Sequence, residues 1–168
     1  MVQRIAEYAP EPRVHELWRA QVAAMDLPEE VRAQLLDEGS IDGFLAGMDS
    51  DGIAGHIHAC THTTFSANTA SSGGKTNVIP DRVVLDVDIR TLPGEDADDV
   101  TAHLEAALGD LACQVEVEAL MNDVSSASRT DNPLWDALDR AVGRQFPTAR
   151  LSPSFAVGFT DARVFREM

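Results

Sequence analysis

The chain has 168 residues, a formal net charge of −15 and a 44% hydrophobic content. That length holds one domain, or one domain and part of another, and the apolar fraction is enough for a core. The acid excess argues against nucleic acid, because a polyanion would meet mostly carboxylates, and no apolar run approaches the roughly 18 residues that a membrane span requires.

The N-terminus, from Met1 to Glu7, reads as an amphipathic helix without the apolar core of a signal peptide, so a cytoplasmic protein is expected. Pro10 and Pro12 stop that helix. Residues 13–25 follow as a helix with Val14, Leu17, Trp18 and Val22 at helical spacing. Pro28-Glu29-Glu30 opens another, with proline in the first turn and carboxylates at the positive end of the dipole. It carries Val31, Leu35 and Leu36 and stops near Gly39, and a short helix follows from Ile41 to Met48 before a turn at Asp49–Gly52. Residues 1–54 are thus a helical segment.

The pattern then changes. His56 to Ser66 alternates and is rich in threonine, which predicts a strand. Residues 81–91 alternate most clearly, with Val83, Leu85, Val87 and Ile89 on one side and Arg82, Asp86, Asp88 and Arg90 on the other, as in a half-buried antiparallel strand. Pro93-Gly94-Glu95-Asp96 turns into a helix with Val100, Leu104 and Leu108 down one face. Residues 112–120 predict a further strand, with Cys113 facing inward beside Val115, Val117 and Ala119. The two cysteines, Cys60 and Cys113, are too few for a disulfide scaffold and read as buried free thiols.

The fold class is α+β. Strand, strand, helix, strand is most of a ferredoxin-like sandwich with one strand missing, so an incomplete antiparallel sheet is expected over residues 55–121 and a truncated chain with it. Beyond a polar linker, residues 132–145 form a helix capped by Asp131 or Asn132 with Pro133 in its first turn. Residues 149–157 suggest a strand, and Gly158-Phe159-Thr160-Asp161 a loop that opens a last helix running to Met168.

Three groups of residues invite chemistry. Asn77, at the mouth of the clearest strand, and Arg90, thirteen residues later near its far end, offer an amide and a planar guanidinium fork for a carboxylate. Taken alone, these residues better fit a turn shaped by Asn77 and an Arg90 paired with Asp88 or with a neighbouring strand. Gly158-Phe159-Thr160-Asp161-Ala162-Arg163 taken alone fits a helix start capped by Thr160, with Asp161 facing the dipole. His56, His58, Cys60 and His62 share one face of the predicted strand. An extended backbone would separate His56 from His62 by roughly 20 Å, too far to share one ion, so no metal ligands are assigned there. A metal-binding protein is the weakest of the readings.

Asn77-Val78-Ile79-Pro80, then a strand, then Asp88-Ile89-Arg90-Thr91-Leu92-Pro93-Gly94-Glu95-Asp96, resembles the dimerisation (lid) domain of the M20 peptidases, strongly over residues 60–110. The resemblance implies a zinc-dependent hydrolase that cleaves the amide or peptide bond of an N-acyl amino acid or a peptide, with two zinc ions in the complete parent enzyme. It implies a homodimer formed through the lid, with Asn77 and Arg90 helping to hold the substrate carboxylate. The segment Gly158 to Arg163 resembles the loop where the family's chain re-enters the catalytic domain, which makes Gly158 and Thr160 substrate-binding candidates and residues 122–168 a partial α/β catalytic domain.

The His-x-Asp and Glu-Glu metal motifs of the family do not occur before residue 55, because Glu29-Glu30 opens a helix in a segment unlike the catalytic core. No catalytic residue and no bound metal are therefore expected on this chain, which would be inactive alone. The stretch 10–52 is expected to be a helical insertion. The alternative class is a non-catalytic homodimerisation module.

Overall fold

The computed structural model describes residues 1–123, 125–158 and 160–166, and of Arg163 the backbone. In chain order the elements are α1 (Val2–Glu7), α2 (Glu16–Ala24), α3 (Glu29–Leu35), α4 (Ile41–Ala46), α5 (Asp51–Thr61), β1 (Thr64–Ser72), β2 (Val83–Arg90), α6 (Ala97–Leu108), a 3-10 helix (Gly109–Gln114), α7 (Pro133–Gln145) and α8 (Ala162–Arg166). They fall into two compact units, one of Met1–Pro10 with Thr63–Ser125 and one of Glu11–His62 with Ser126–Met168. The chain is α+β, as its sequence predicts, and none of its described helices is long and apolar enough to cross a membrane.

The first unit is built on an antiparallel ribbon in which Thr64 lies opposite Arg90 and Ser72 opposite Val83. The register slips between Ala67 and Thr69, a bulge that accommodates one extra residue on β1. A lone hairpin is marginal in water. This one is backed by helices, since Phe65, Ala67, Leu85 and Val87 pack against Ile5 of α1 and Leu104, Ala107 and Leu108 of α6. Alternation along β2 is what makes this possible, because residues two apart share a face.

The start of α6 is fixed by a capping box. The Asp96 carboxylate accepts from the Asp98 and Asp99 amides at 2.9 and 3.3 Å, while Asp96 N donates to Asp99 Oδ2 at 2.9 Å. Its end is fixed by Gly109, whose φ of +57° suits glycine. The Arg4 guanidinium completes that end by donating to the Leu108 carbonyl and to Asp110. Arg4 and its hydrogen bonds hold Asp110 below the usual carboxylate range.

In the second unit α2 to α5 close around Trp18, Val22, Leu35, Ile41 and Cys60, with Ile57 and Leu45 beside them. The Trp18 indole N–H donates to the Leu35 carbonyl at 2.8 Å, so the largest buried side chain leaves no polar atom unmet. His15 ties α2 to α5: its Nδ1 accepts from Trp18 N at 3.3 Å and its Nε2 reaches the Cys60 carbonyl at 2.9 Å. The helix α7 starts as expected, with Asn132 accepting from Trp135 N at 3.0 Å and Pro133 in its first turn. Its apolar face is largely exposed, Leu134 by 69% and Leu138 by 47%.

Burial lowers His15, and so does Arg13, against a raising hydrogen bond to Cys60; burial and neighbouring His62 lower His58, against a raising Asp42. Both rings resist protonation in the folded state, so as pH falls through about 6.5 the unfolded chain takes up protons first. The stability that these neutral rings contribute is fully present above that pH and is lost as pH falls toward the depressed folded values. Urea midpoints for the second unit are expected to drop between pH 8 and pH 5.5, and His58→Gln to drop less. An equal drop in the variant would refute the assignment to His58.

Three expectations need correction. His56–Thr61, expected as the start of a strand, instead belong to α5, which begins with Ser50 accepting from Ile53 N at 3.4 Å and buries Ile57, Cys60 and Thr61 at helical spacing. The threonine-rich strand begins only at Thr64. Residues 112–120 are not a strand either: the 3-10 helix runs to Gln114, and the described sheet has two strands. Cys113 is accordingly exposed, while Cys60 is buried as expected. Residues 149–157 form no strand, although Phe155 packs against the core of the second unit. Phe159 and Met168, on which parts of the expected loop and last helix fall, lie outside the described residues.

Candidate functional site

Arg90 is the last residue of β2 and lies opposite the first residue of β1. Two residues apart on one strand face, Arg90 and Asp88 meet: Nε donates to Asp88 Oδ2 at 2.9 Å, with the side chains 49% and 44% exposed. An ion pair so open to water contributes about 0–1 kcal/mol. An incoming carboxylate can compete with so weak a pair.

Asn77 sits in an exposed turn within the connection from Ser72 to Val83, where Val78 N donates to the Lys75 carbonyl at 3.4 Å. That connection joins the end of the ribbon opposite Arg90. Val83 and Arg90 alone are seven strand steps apart, or about 23 Å, so one chain does not bring Asn77 and Arg90 to the same small group.

Thr160 and Gly158 are exposed in the second unit. Thr160 Oγ1 accepts from Ala162 N at 3.3 Å, which is the helix-capping arrangement the residues suggest by themselves.

The histidine segment takes a different form on a helix. Positions four apart now meet: His58 and His62 stack with ring centroids 4.1 Å apart and planes at 2°, and His56 Nε2 lies 3.7 Å from Cys60 Sγ. His62 is buried, and its Nε2 approaches Asp42 Oδ1 to 3.1 Å without the alignment of a hydrogen bond. Burial pushes the Cys60 thiol up to about 11, so it keeps its proton and is a poor metal ligand. Among the described residues no three His, Cys, Asp or Glu side chains converge to hold a metal ion. They do not fit the pair of zinc ions that the resemblance implies.

Sequence reasoning missed the buried node at the Arg90 end of the ribbon. Glu95, 7% exposed, accepts from Leu92 N at 2.9 Å and from the Thr63 hydroxyl. His103 Nε2 lies 3.9 Å from the other carboxylate oxygen, and His103 Nδ1 is 2.8 Å from the Tyr8 hydroxyl. The only linear signal was an acidic residue inside Pro93-Gly94-Glu95-Asp96, where a turn alone explains the proline and glycine.

Residues 15–116 match the peptidase dimerisation domain of the M20 family. The chain belongs to that family. Membership explains the ribbon, its helical backing and the Asn77-to-Asp96 motif together, since all but α1 lie within the matched residues. A similar protein is the probable carboxypeptidase S-like 2 of Dictyostelium discoideum, 25% identical over 109 residues that cover 64% of this chain and 21% of the relative. The aligned part of this M20 chain thus spans about a fifth of that relative's length. No solved structure matches the chain.

Proposed function

We propose that the chain serves a zinc-dependent hydrolase that cleaves an amide or peptide bond of an N-acyl amino acid or peptide, by supplying association and a hold on the substrate carboxylate. The match to a peptidase dimerisation domain across residues 15–116, which includes both Asn77 and Arg90, carries the reading. The carboxypeptidase name of the similar protein agrees with it. In this reading the zinc ions belong to residues outside this chain, and two copies associate through the family's dimerisation domain. Arg90 grips the carboxylate, and its share of catalysis is orientation. The isolated 168-residue chain is expected to show no zinc-dependent hydrolysis.

The test uses N-acetylglycine as a carboxylate probe, followed by chemical shifts on the native resonances of the full chain. Arg90→Ala is expected to weaken the probe about tenfold or more, in keeping with about 1.5–3 kcal/mol for a hydrogen bond to a charged group. Arg90→Lys keeps the charge but not the fork and is expected to fall between. Unchanged binding by Arg90→Ala would remove the carboxylate role.

The second reading, a non-catalytic association module, is favoured by one observation: each strand of the described ribbon pairs on one side only, which leaves an edge on which a copy can add. Dimerisation in sedimentation without any probe binding supports it over the first.

A further inference from the structure

We propose that Glu95 is a positioning residue that sets the guanidinium of Arg90 for its carboxylate; this rests on the reading of Arg90 given above. The ladder ends at the Thr64–Arg90 pair, and among the described residues no further strand pairing holds the two strands beyond it. One residue before Thr64 stands Thr63, and two residues after Arg90 stands Leu92. Both are buried, at 1% exposure each. The Glu95 carboxylate binds both at once, through the Thr63 hydroxyl and the Leu92 amide, and Leu92 N also lies 3.3 Å from Thr63 Oγ1. A charged acceptor thus replaces the missing next rung of the ladder.

Hydrogen bonds to a carboxylate are about twice as strong as neutral ones, and burial keeps water from competing for these donors. The node is anchored in turn, since His103 of α6 faces Glu95 and meets Tyr8 just after α1. Tyr8 and Phe65 of β1 pack edge to face with centroids 5.3 Å apart. Without Glu95 the Leu92 amide loses its strongest acceptor. The segment Arg90-Thr91-Leu92 is then free to fray from β1, and the half-exposed guanidinium samples directions from which it cannot meet a carboxylate squarely.

The experiment measures N-acetylglycine binding by the full chain on native resonances, with thermal unfolding recorded separately. Glu95→Ala is expected to bind about fivefold more weakly, the loss that corresponds to roughly one hydrogen bond's worth of order. Glu95→Gln, whose amide oxygen still accepts from Leu92 N and Thr63 Oγ1, is expected to bind within about twofold of the original. A residue important only for stability would lower the melting temperature and leave the affinity of the folded molecules unchanged. Should Glu95→Ala fail to fold, Thr63→Val decides, because it removes one arm of the node and keeps the carboxylate; weaker binding supports the proposal and unchanged binding overturns it. Loss of binding in Arg90→Ala with none in a folded Glu95→Ala refutes the positioning role alone. Retained binding in Arg90→Ala refutes the carboxylate reading and this proposal with it.

Discussion

Trp18→Ala is expected to destabilise the second unit by about 3–5 kcal/mol, the range for deleting a large aromatic from a packed core. Trp18 is 1% exposed and touches a cluster in which Val22 and Ile41 are at 0%. Two losses add. The cavity forfeits the contacts of the ring with its neighbours, and the Leu35 carbonyl, which accepts from the indole at 2.8 Å, is left without that partner at the C-terminal end of α3. Since a whole domain is stable by only about 5–15 kcal/mol, a loss of this size takes a large part of the margin. Urea unfolding followed by far-UV circular dichroism measures it. Trp18→Phe keeps most of the buried area and loses the hydrogen bond, so it is expected to lie between. A midpoint for Trp18→Ala equal to that of the original protein would show that this core does not hold the unit together.

Helices were the most legible part of the fold because their ends carry local chemistry. Asn132 before Pro133, the turn Pro93-Gly94-Glu95-Asp96, and the glutamates of Glu29-Glu30 each announce a first turn within four residues, and each stands where the sequence placed it. The strand β2 was legible for a related reason: Leu85 to Arg90 alternate apolar and charged, and Leu85 and Val87 do face the core. The false strand at 112–120 has a plain cause. A strand is completed by a neighbour, and nothing local guarantees one. Cys113, Val115, Val117 and Ala119 alternate as well as β2 does, but no strand of the described sheet pairs with them, and Val117 is left 62% exposed.

In 56–62 the histidines imposed an apparent two-residue rhythm, while Ile57, Cys60 and Thr61 already marked a helical stripe. The site divides along the same line. The Arg90–Asp88 pair is two residues long and could be foreseen, whereas the Glu95 node joins Thr63, Leu92 and His103 across forty residues of chain and could not.

The two thiols provide a test of this rearrangement with a large expected effect. Residues 51–61 as a helix put Cys60 inside the second unit at 0% exposure, and the absence of a third strand in the described sheet puts Cys113 at the surface of the first. With its thiol pushed up to about 11 by burial, Cys60 keeps its proton at pH 8, and its burial also denies a reagent access. The thiolate is the nucleophile, so an aromatic disulfide reagent at pH 8 is expected to release one equivalent of chromophore quickly from the native chain and the second only on unfolding. Cys113→Ser should abolish the fast phase and Cys60→Ser should leave it intact. Two equivalents released together from the native protein would mean that Cys60 is not enclosed, and the helical packing of α5 against α2 and α4 would have to be abandoned with it.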